Sequence, residues 1–174
     1  MNNLDSALSK LKKAILSRDI KTQNIIIDWI NKWSNYIIKE TTFKSECMPY
    51  FKRGDIVYIE FGFNIGVEYG GIHYAVVIES NNNKKSGSIV VVPLTSYDPS
   101  NTAKKISKHD ILLGYGIIPW TDPNHATVAK PNQIRAISKI RIVKPIKKDD
   151  KVAKLSGEQL NMIDQKIDEI IKKH

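Results

Sequence analysis

Two neighbouring stretches decide the fold: RGDIVYIEF at residues 53–61 and GVEYGGIHYAVVI at residues 66–78. Each contains a run of β-branched and aromatic residues, which is typical of a strand at least half buried in a sheet. The glycines between the two runs indicate a loop rather than one continuous strand. The pattern therefore predicts a strand, a loop and a second strand, with His73 where the loop ends.

A hairpin is predicted directly after this unit. The polar segment 80–87 separates the run ending at Ile78 from another apolar run, residues 89–92, which favours an antiparallel pair. The residue numbers of facing positions in such a pair add up to a nearly constant sum, about 166 to 168 for this loop length. His73 then faces residues 93–95. Because facing Cβ atoms lie about 4.5–5.5 Å apart, the imidazole and the Thr95 hydroxyl are expected to reach one phosphate-sized ligand.

The rest of this half predicts more short strands and one helix. Stretches 127–130, 133–137 and 141–144 favour strands, whereas the prolines and glycines of residues 98–125 favour a loop with a short strand or helical turn. Ser156 and Gln159 have capping-box spacing. They precede an apolar stripe at helical spacing, formed by Leu160, Ile163, Ile167 and Ile170. We therefore expect an α+β fold, with a small bent sheet or barrel and a C-terminal helix.

The N-terminal region, residues 3 to about 40, is predicted to be helical. One apolar stripe runs from Leu4 to Ile15, and a second begins at Ile26. The polar break before Asp19 indicates either a turn between two helices, capped by Asp19, or a phase shift within one long helix. We expect residues 1–48 to form a helical extension with a linker, and residues 49–174 to form the barrel domain.

Charge and composition narrow the class of protein. The 174-residue chain has 27 lysines and arginines against 18 acidic residues, a formal net charge of +9. This excess attracts polyanions such as RNA, DNA or an acidic protein, although solubility alone also accounts for it. Cys47 is the single cysteine, which excludes an intrachain disulfide and a cysteine-cluster zinc site. With no apolar run of about 18 residues and no secretory signal pattern, we expect a cytoplasmic protein.

His73 is the candidate for acid–base chemistry because an imidazole takes up or releases a proton near neutral pH. A lone histidine at a strand start more often has a packing or surface role. The pair Gly70–Gly71 permits a tight turn or close approach to a ligand, but it is also the composition of an ordinary turn. The functional interpretation depends on the combination of these residues with Thr95 and the positive charge.

The order and spacing of these pieces over residues 50–174 resemble the MazF/PemK/Kid family of toxin endoribonucleases. The pieces are Arg53-Gly54-Asp55, the loop with Gly66, Glu68 and Gly71, the Val-Val-Ile strand, Pro93-Leu94-Thr95-Ser96, residues 133–137 and the terminal helix. The resemblance implies an SH3-like barrel that forms a homodimer. It also implies a type II toxin that cleaves single-stranded RNA without a metal or cofactor, leaving 2′,3′-cyclic phosphate and 5′-hydroxyl ends. An acidic antitoxin would occupy the RNA groove.

The chain departs from the family where an arginine commonly precedes the Val-Val-Ile strand. His73 stands there, and Tyr74 replaces the usual proline. Arginine is almost always charged and suits charge stabilisation, whereas histidine, with a reference pKa of about 6.5, transfers protons. We therefore predict His73 as general acid or base and Thr95 as hydrogen-bond donor to a phosphate oxygen, with Ser96 assisting.

The other substrate-binding candidates are Glu68, Gly70, Gly71, Gln133 and Arg135. Glu68 is expected to shape or gate the loop. Arg135, predicted on one strand face with Gln133, is either an electrostatic stabiliser or an ordinary surface arginine.

Four aromatic residues are candidates for stacking on bases or for the core: Phe61, Phe63, Tyr69 and Tyr74. The alternative function is a non-catalytic SH3-like module that binds nucleic acid or protein, including a gyrase-directed toxin, because one fold serves many functions.

Overall fold

The computed structural model describes residues 3–103, 105–147 and 149–172. The chain divides into two compact units, one reaching to Thr42 and one beginning at Phe43. The domain boundary expected after residue 48 falls inside the second unit, because Met48 is buried in the core of that unit and Phe43 packs against the same core. Within the described ranges, no helix is long and apolar enough to cross a membrane.

The first unit is a pair of helices, α1 (Asn3–Leu16) and α2 (Ile20–Glu40). Of the two possibilities left open by the sequence, the turn between two helices is the one observed. The Asp19 carboxylate caps α2 by accepting hydrogen bonds from the Thr22 hydroxyl at 2.6 Å and the Thr22 backbone N–H at 3.0 Å. These bonds lower the pKa of Asp19 below its usual value, as expected for a carboxylate at a helix N-terminus.

The described residues of the second unit form seven strands and one long helix. The strands are β1 (Ile56–Gly62), β2 (Gly71–Val77), β3 (Ser88–Tyr97), β4 (Ile111–Tyr115), β5 (Ala126–Ala129), β6 (Arg135–Ser138) and β7 (Ile142–Lys144). The helix α3 spans Gly157–Ile171, and the predicted capping box of Ser156 and Gln159 is present. Gln133 belongs to a 3-10 turn, Pro131–Gln133, so the prediction that it shares a strand with Arg135 is wrong.

All strand pairings are antiparallel, in the order β4-β5-β3-β2-β1-β7, and β6 also pairs with β3. β3 is the central strand. One of its edges pairs with β2, while the other pairs first with β6 and then, from Leu94 onward, with β5. Among the described strands no pairing joins the two ends of this order, so the sheet is not closed. The predicted α+β architecture with a C-terminal helix is confirmed.

Both faces of the central strands are buried. Val57, Ile59 and Phe61 of β1 belong to one hydrophobic cluster, whereas Ile56 of the same strand belongs to a second cluster with Ile163 of α3. Burial on both faces explains why these strands read as nearly continuous apolar runs. It also fixes their register, because a shift of one residue would exchange the two sets of side chains.

The Arg53-Gly54-Asp55 motif has a structural role. The Arg53 guanidinium binds both carboxylate oxygens of Asp164 in α3, at 2.6 and 2.5 Å, and also donates to the Ile78 carbonyl. Gly54 has a φ of +90°, a conformation that favours glycine. The Asp55 carboxylate accepts a hydrogen bond from the Lys52 backbone at 2.8 Å. The motif therefore joins the start of β1 to α3 and to the end of β2.

Truncating Ile163 tests how much α3 contributes to stability. Ile163 is fully buried, whereas Ile171, on the same helix, is 67% exposed. We expect Ile163→Ala to lower the free energy of unfolding by about 2–5 kcal/mol, because it removes buried apolar surface and leaves a cavity. Urea denaturation monitored by circular dichroism measures the change. Ile171→Ala is the matched control and is expected to change it by less than about 0.5 kcal/mol; equal effects would contradict the assigned burial.

Candidate active site

The hairpin of β2 and β3 has the register that the sequence predicted. Ala75 faces Pro93 and Val77 faces Val91, and the numbers of each facing pair add up to 168. The paired ladder ends at Ala75. Continuing the same register by two residues puts His73 level with Thr95, at the end of the hairpin away from its loop.

His73 and Thr95 line one cavity of about 200 Å³. Ser96 lines the same cavity, as do three polar residues from a later part of the chain: Thr121, His125 and Thr127. Cavities that hold drug-sized ligands usually measure about 300–1,000 Å³. The smaller volume suits a phosphate with part of a ribose better than a whole nucleotide.

Tyr69 connects the two predicted catalytic residues. Its ring centroid lies 4.7 Å from that of His73, and its hydroxyl hydrogen-bonds with the Thr95 side chain and donates to the Leu94 carbonyl at 3.2 Å. Burial raises the pKa of the Tyr69 hydroxyl, and the bond with Thr95 opposes this shift only in part. The hydroxyl therefore remains protonated at neutral pH.

Gln133 and Arg135 support the loop that carries Tyr69. The Gln133 side-chain oxygen accepts hydrogen bonds from the Tyr69 backbone N–H at 3.1 Å and from Arg135 Nη2 at 3.2 Å. The Arg135 guanidinium also lies 5.5 Å from the centre of the Phe61 ring, within the range of a cation–π contact. Neither Gln133 nor Arg135 lines the His73–Thr95 cavity. Gln133 contacts the Tyr69 backbone, and Arg135 contacts Gln133 and the Phe61 ring of the core.

The glycine pair has a steric explanation. A Cβ atom on Gly70 would lie 2.7 Å from the Gly62 carbonyl oxygen, closer than a side chain permits. Gly71 has a φ of +80°, and a Cβ there would lie 3.4 Å from Nε2 of His73. The pair therefore lets the loop pass close to β1 and leaves room for the imidazole. Glu68 is exposed on this loop and does not line the cavity.

His125 lines the cavity but was not among the predicted site residues. Its Nε2 lies 3.8 Å from a carboxylate oxygen of Asp98 and 3.9 Å from one of Asp122. In the β3–β5 ladder Tyr97 faces Ala126, and continuing this register by one residue makes Asp98 and His125 a facing pair. No local pattern in residues 98–125 indicates this position, because it depends on β5 pairing with β3.

The aromatic candidates divide between core and cavity. Phe61 is fully buried in the core, where its ring meets the edge of Tyr69 at a centroid distance of 5.7 Å. Tyr74 lines the cavity together with Tyr58. Phe61 is therefore unavailable for stacking on a base, whereas Tyr74 is on the cavity wall.

The part of the chain that matches a known family lies within the second unit. Residues 52–171 match the family described as PemK-like, MazF-like toxin of type II toxin-antitoxin system. The chain belongs to this family. The match begins at Lys52, so the two N-terminal helices lie outside it. The family assignment made from the sequence is confirmed.

One solved structure shows the same fold, and a second is reported with it. The crystal structure of MazF (Form-I) from Deinococcus radiodurans aligns with a TM-score of 0.51 at 17% sequence identity, covering 71% of this chain and 96% of that chain. The crystal structure of MazE-MazF (Form-II) from the same organism aligns with a TM-score of 0.47 at 16% identity, covering 73% and 98%. No curated protein matches the chain in sequence. At these identities the likeness of the first structure establishes the fold alone.

Removing the Gln133 side chain tests whether it holds the Tyr69 loop. We expect Gln133→Ala to speed hydrogen exchange of the Tyr69 amide by about five- to tenfold, because the loss of one hydrogen bond costs about 1 kcal/mol of local stability. Exchange resolved by residue, using NMR, measures this. Asn132→Ala, which changes the exposed neighbour, is the control. Unchanged exchange at Tyr69 in Gln133→Ala would show that the loop is held by other contacts.

Proposed function

We propose that this protein is a cytoplasmic toxin endoribonuclease that cleaves single-stranded RNA without a metal, using His73 and Thr95. The observation that carries the proposal is the placement of both residues on one small cavity, each in contact with Tyr69. Family membership supports the toxin class, and the net charge of +9 favours binding to a polyanion.

The reaction is attack of the RNA 2′-hydroxyl oxygen on the neighbouring phosphorus. A base takes the 2′-hydroxyl proton, the new O–P bond forms, and the bond from phosphorus to the 5′-oxygen breaks. An acid gives a proton to that leaving oxygen, so the products are a 2′,3′-cyclic phosphate and a 5′-hydroxyl. In this proposal the Thr95 hydroxyl gives up its hydrogen bond to the Tyr69 oxygen when RNA binds, and donates its single proton to a non-bridging phosphate oxygen as negative charge develops there.

The two proton transfers require two groups, and the cavity contains two imidazoles. We assign His73, level with Thr95, as the base. His125 is assigned as the acid, because Asp98 and Asp122 lie close enough to pair with its protonated ring. The positions support this division: His73 precedes the part of β2 that pairs with β3, and His125 precedes β5, on opposite edges of β3.

The proposal extends to partners. We propose that the chain forms a homodimer and binds an acidic antitoxin. Membership of a family of type II toxin-antitoxin toxins supports the antitoxin, and an acidic partner complements the positive charge of this chain.

Substituting His73 tests the enzyme directly. We expect His73→Ala to slow RNA cleavage by about 10²–10⁴-fold, the usual contribution of a positioned acid or base. Purified protein is incubated with a mixed-sequence RNA in EDTA, and the ends are mapped. His109→Ala, at a half-buried histidine outside the cavity, is the control and is expected to retain wild-type activity.

Several outcomes would contradict this assignment. Full activity in a folded His73→Ala protein would rule out the role of His73, and loss of wild-type cleavage in EDTA would rule out metal independence. Intact RNA that nevertheless binds the wild-type protein would favour the non-catalytic module.

A modified substrate tests the role of His125. If His125 is the acid, His125→Ala should slow cleavage of ordinary RNA by about 10²-fold or more. The same variant should recover most of the lost cleavage rate on RNA whose 5′-bridging oxygen is replaced by sulfur, because a thiolate leaves without a proton. His73→Ala should show no such recovery. If His125→Ala lost the same fraction of its cleavage rate on ordinary RNA and on the sulfur-substituted RNA, the assignment of His125 as the acid would be contradicted.

A further inference from the structure

A second cavity adjoins the first. It measures about 350 Å³, and the two cavities share Tyr58 and Tyr74 in their walls. We propose that the second cavity is a subsite for an unpaired nucleobase, next to the scissile phosphate on the same RNA strand. This proposal rests on the proposed function. The larger volume lies within the range of small-ligand cavities, about 300–1,000 Å³, and therefore suits a base with its sugar.

Three aromatic rings form one wall of this subsite. The ring centroids of Tyr58 and Tyr74 are 4.6 Å apart, and those of Tyr74 and Trp120 are 6.4 Å apart. Trp120 is 48% exposed, so its ring is accessible to a ligand. Because each base has an apolar face, such a row binds single-stranded nucleic acid by stacking with little sequence preference.

The aromatic row is held in place before any ligand binds. The Tyr74 side chain hydrogen-bonds with that of Trp120, and since the indole N–H can only donate, the tyrosine hydroxyl oxygen accepts. Burial raises the pKa of Tyr74 above its usual value, so this hydroxyl is neutral at physiological pH. A platform with fixed rings loses little conformational entropy when a base stacks on it.

The charged groups of the subsite favour a phosphodiester. Lys144, Lys151 and Asp150 line the cavity. One Asp150 oxygen already accepts hydrogen bonds from the Ile146 and Lys147 backbone N–H groups, at 2.7 and 2.9 Å, and these bonds lower the pKa of Asp150. The carboxylate therefore serves the turn after β7, and the two ammonium groups provide the net positive charge that a nucleic-acid backbone requires.

Binding of a non-cleavable oligonucleotide tests the subsite separately from catalysis. The probe is a short single-stranded RNA with 2′-O-methyl groups throughout. We expect Trp120→Ala to weaken its binding about tenfold, the usual contribution of stacking one base, and Trp120→Phe to recover most of the loss. Trp33→Ala, at the half-exposed tryptophan of α2, is the matched control and is expected to bind like wild type.

An abasic scan locates the contact. Replacing one base of the probe by an abasic residue should weaken wild-type binding at a single position and leave Trp120→Ala unaffected there, because both changes remove the same interaction. Changing Lys144 and Lys151 together to Gln should reduce the slope of log Kd against log salt by about 1.4, since each phosphate contact on a single strand contributes about 0.7. The same change at Lys84 and Lys85, in the loop at the far end of the β2–β3 hairpin, is the control.

Unchanged affinity of the probe for Trp120→Ala would overturn the subsite. This is also the result expected if a second subunit or an antitoxin segment covers the cavity. The result separates the two proposals. A wild-type protein that binds the probe through Trp120 but leaves ordinary RNA intact would retain the subsite and refute the ribonuclease. Cleavage of ordinary RNA at the same rate by the wild-type and Trp120→Ala proteins, with unchanged binding of the probe, would retain the ribonuclease and refute the subsite.

Discussion

The antiparallel register between β2 and β3 is the constraint on which the site depends. It brings His73 level with Thr95, and a shift of one residue would turn their side chains to opposite faces. The register is secured because both faces of these strands are buried: Ala75 and Val77 in one cluster, Val76 in the other. Hydrophobic packing on both faces therefore determines that His73 lies level with Thr95, two residues beyond the last pair of the β2–β3 ladder.

Around this register, the loop before β2 positions the reactive groups. Tyr69 contacts His73 and Thr95 while its backbone is bound by Gln133. Gly70 allows the close approach to β1 that this arrangement needs. Gln133 binds the Tyr69 backbone, and Arg135 contacts Gln133 and the Phe61 ring. These contacts support the loop beside the cavity, and a direct role of the two residues in substrate binding stays a prediction.

The replacement of arginine by His73 changes the chemistry that this position can perform. A guanidinium stabilises charge but does not release a proton at physiological pH, whereas an imidazole can do both. A second imidazole, a row of three aromatic rings and two lysines lie around the same pair of cavities. In the proposed reaction, proton transfer is therefore divided between two histidines, and binding of the strand is shared with the aromatic wall.

The sequence by itself determined the elements whose signals are local. β1, the β2–β3 hairpin with its sum of facing numbers, and the α3 capping box follow from alternation, turn composition and cap spacing. The register of the hairpin suffices to place His73 level with Thr95. Only the tertiary structure decided the rest. β3 changes partner from β6 to β5 at Leu94, which brings His125 to the cavity, and the Gln133 side chain reaches Tyr69 across 64 residues of chain. Such contacts join segments far apart in sequence, so no short-range periodicity encodes them; they arise when the strands pack around a shared core.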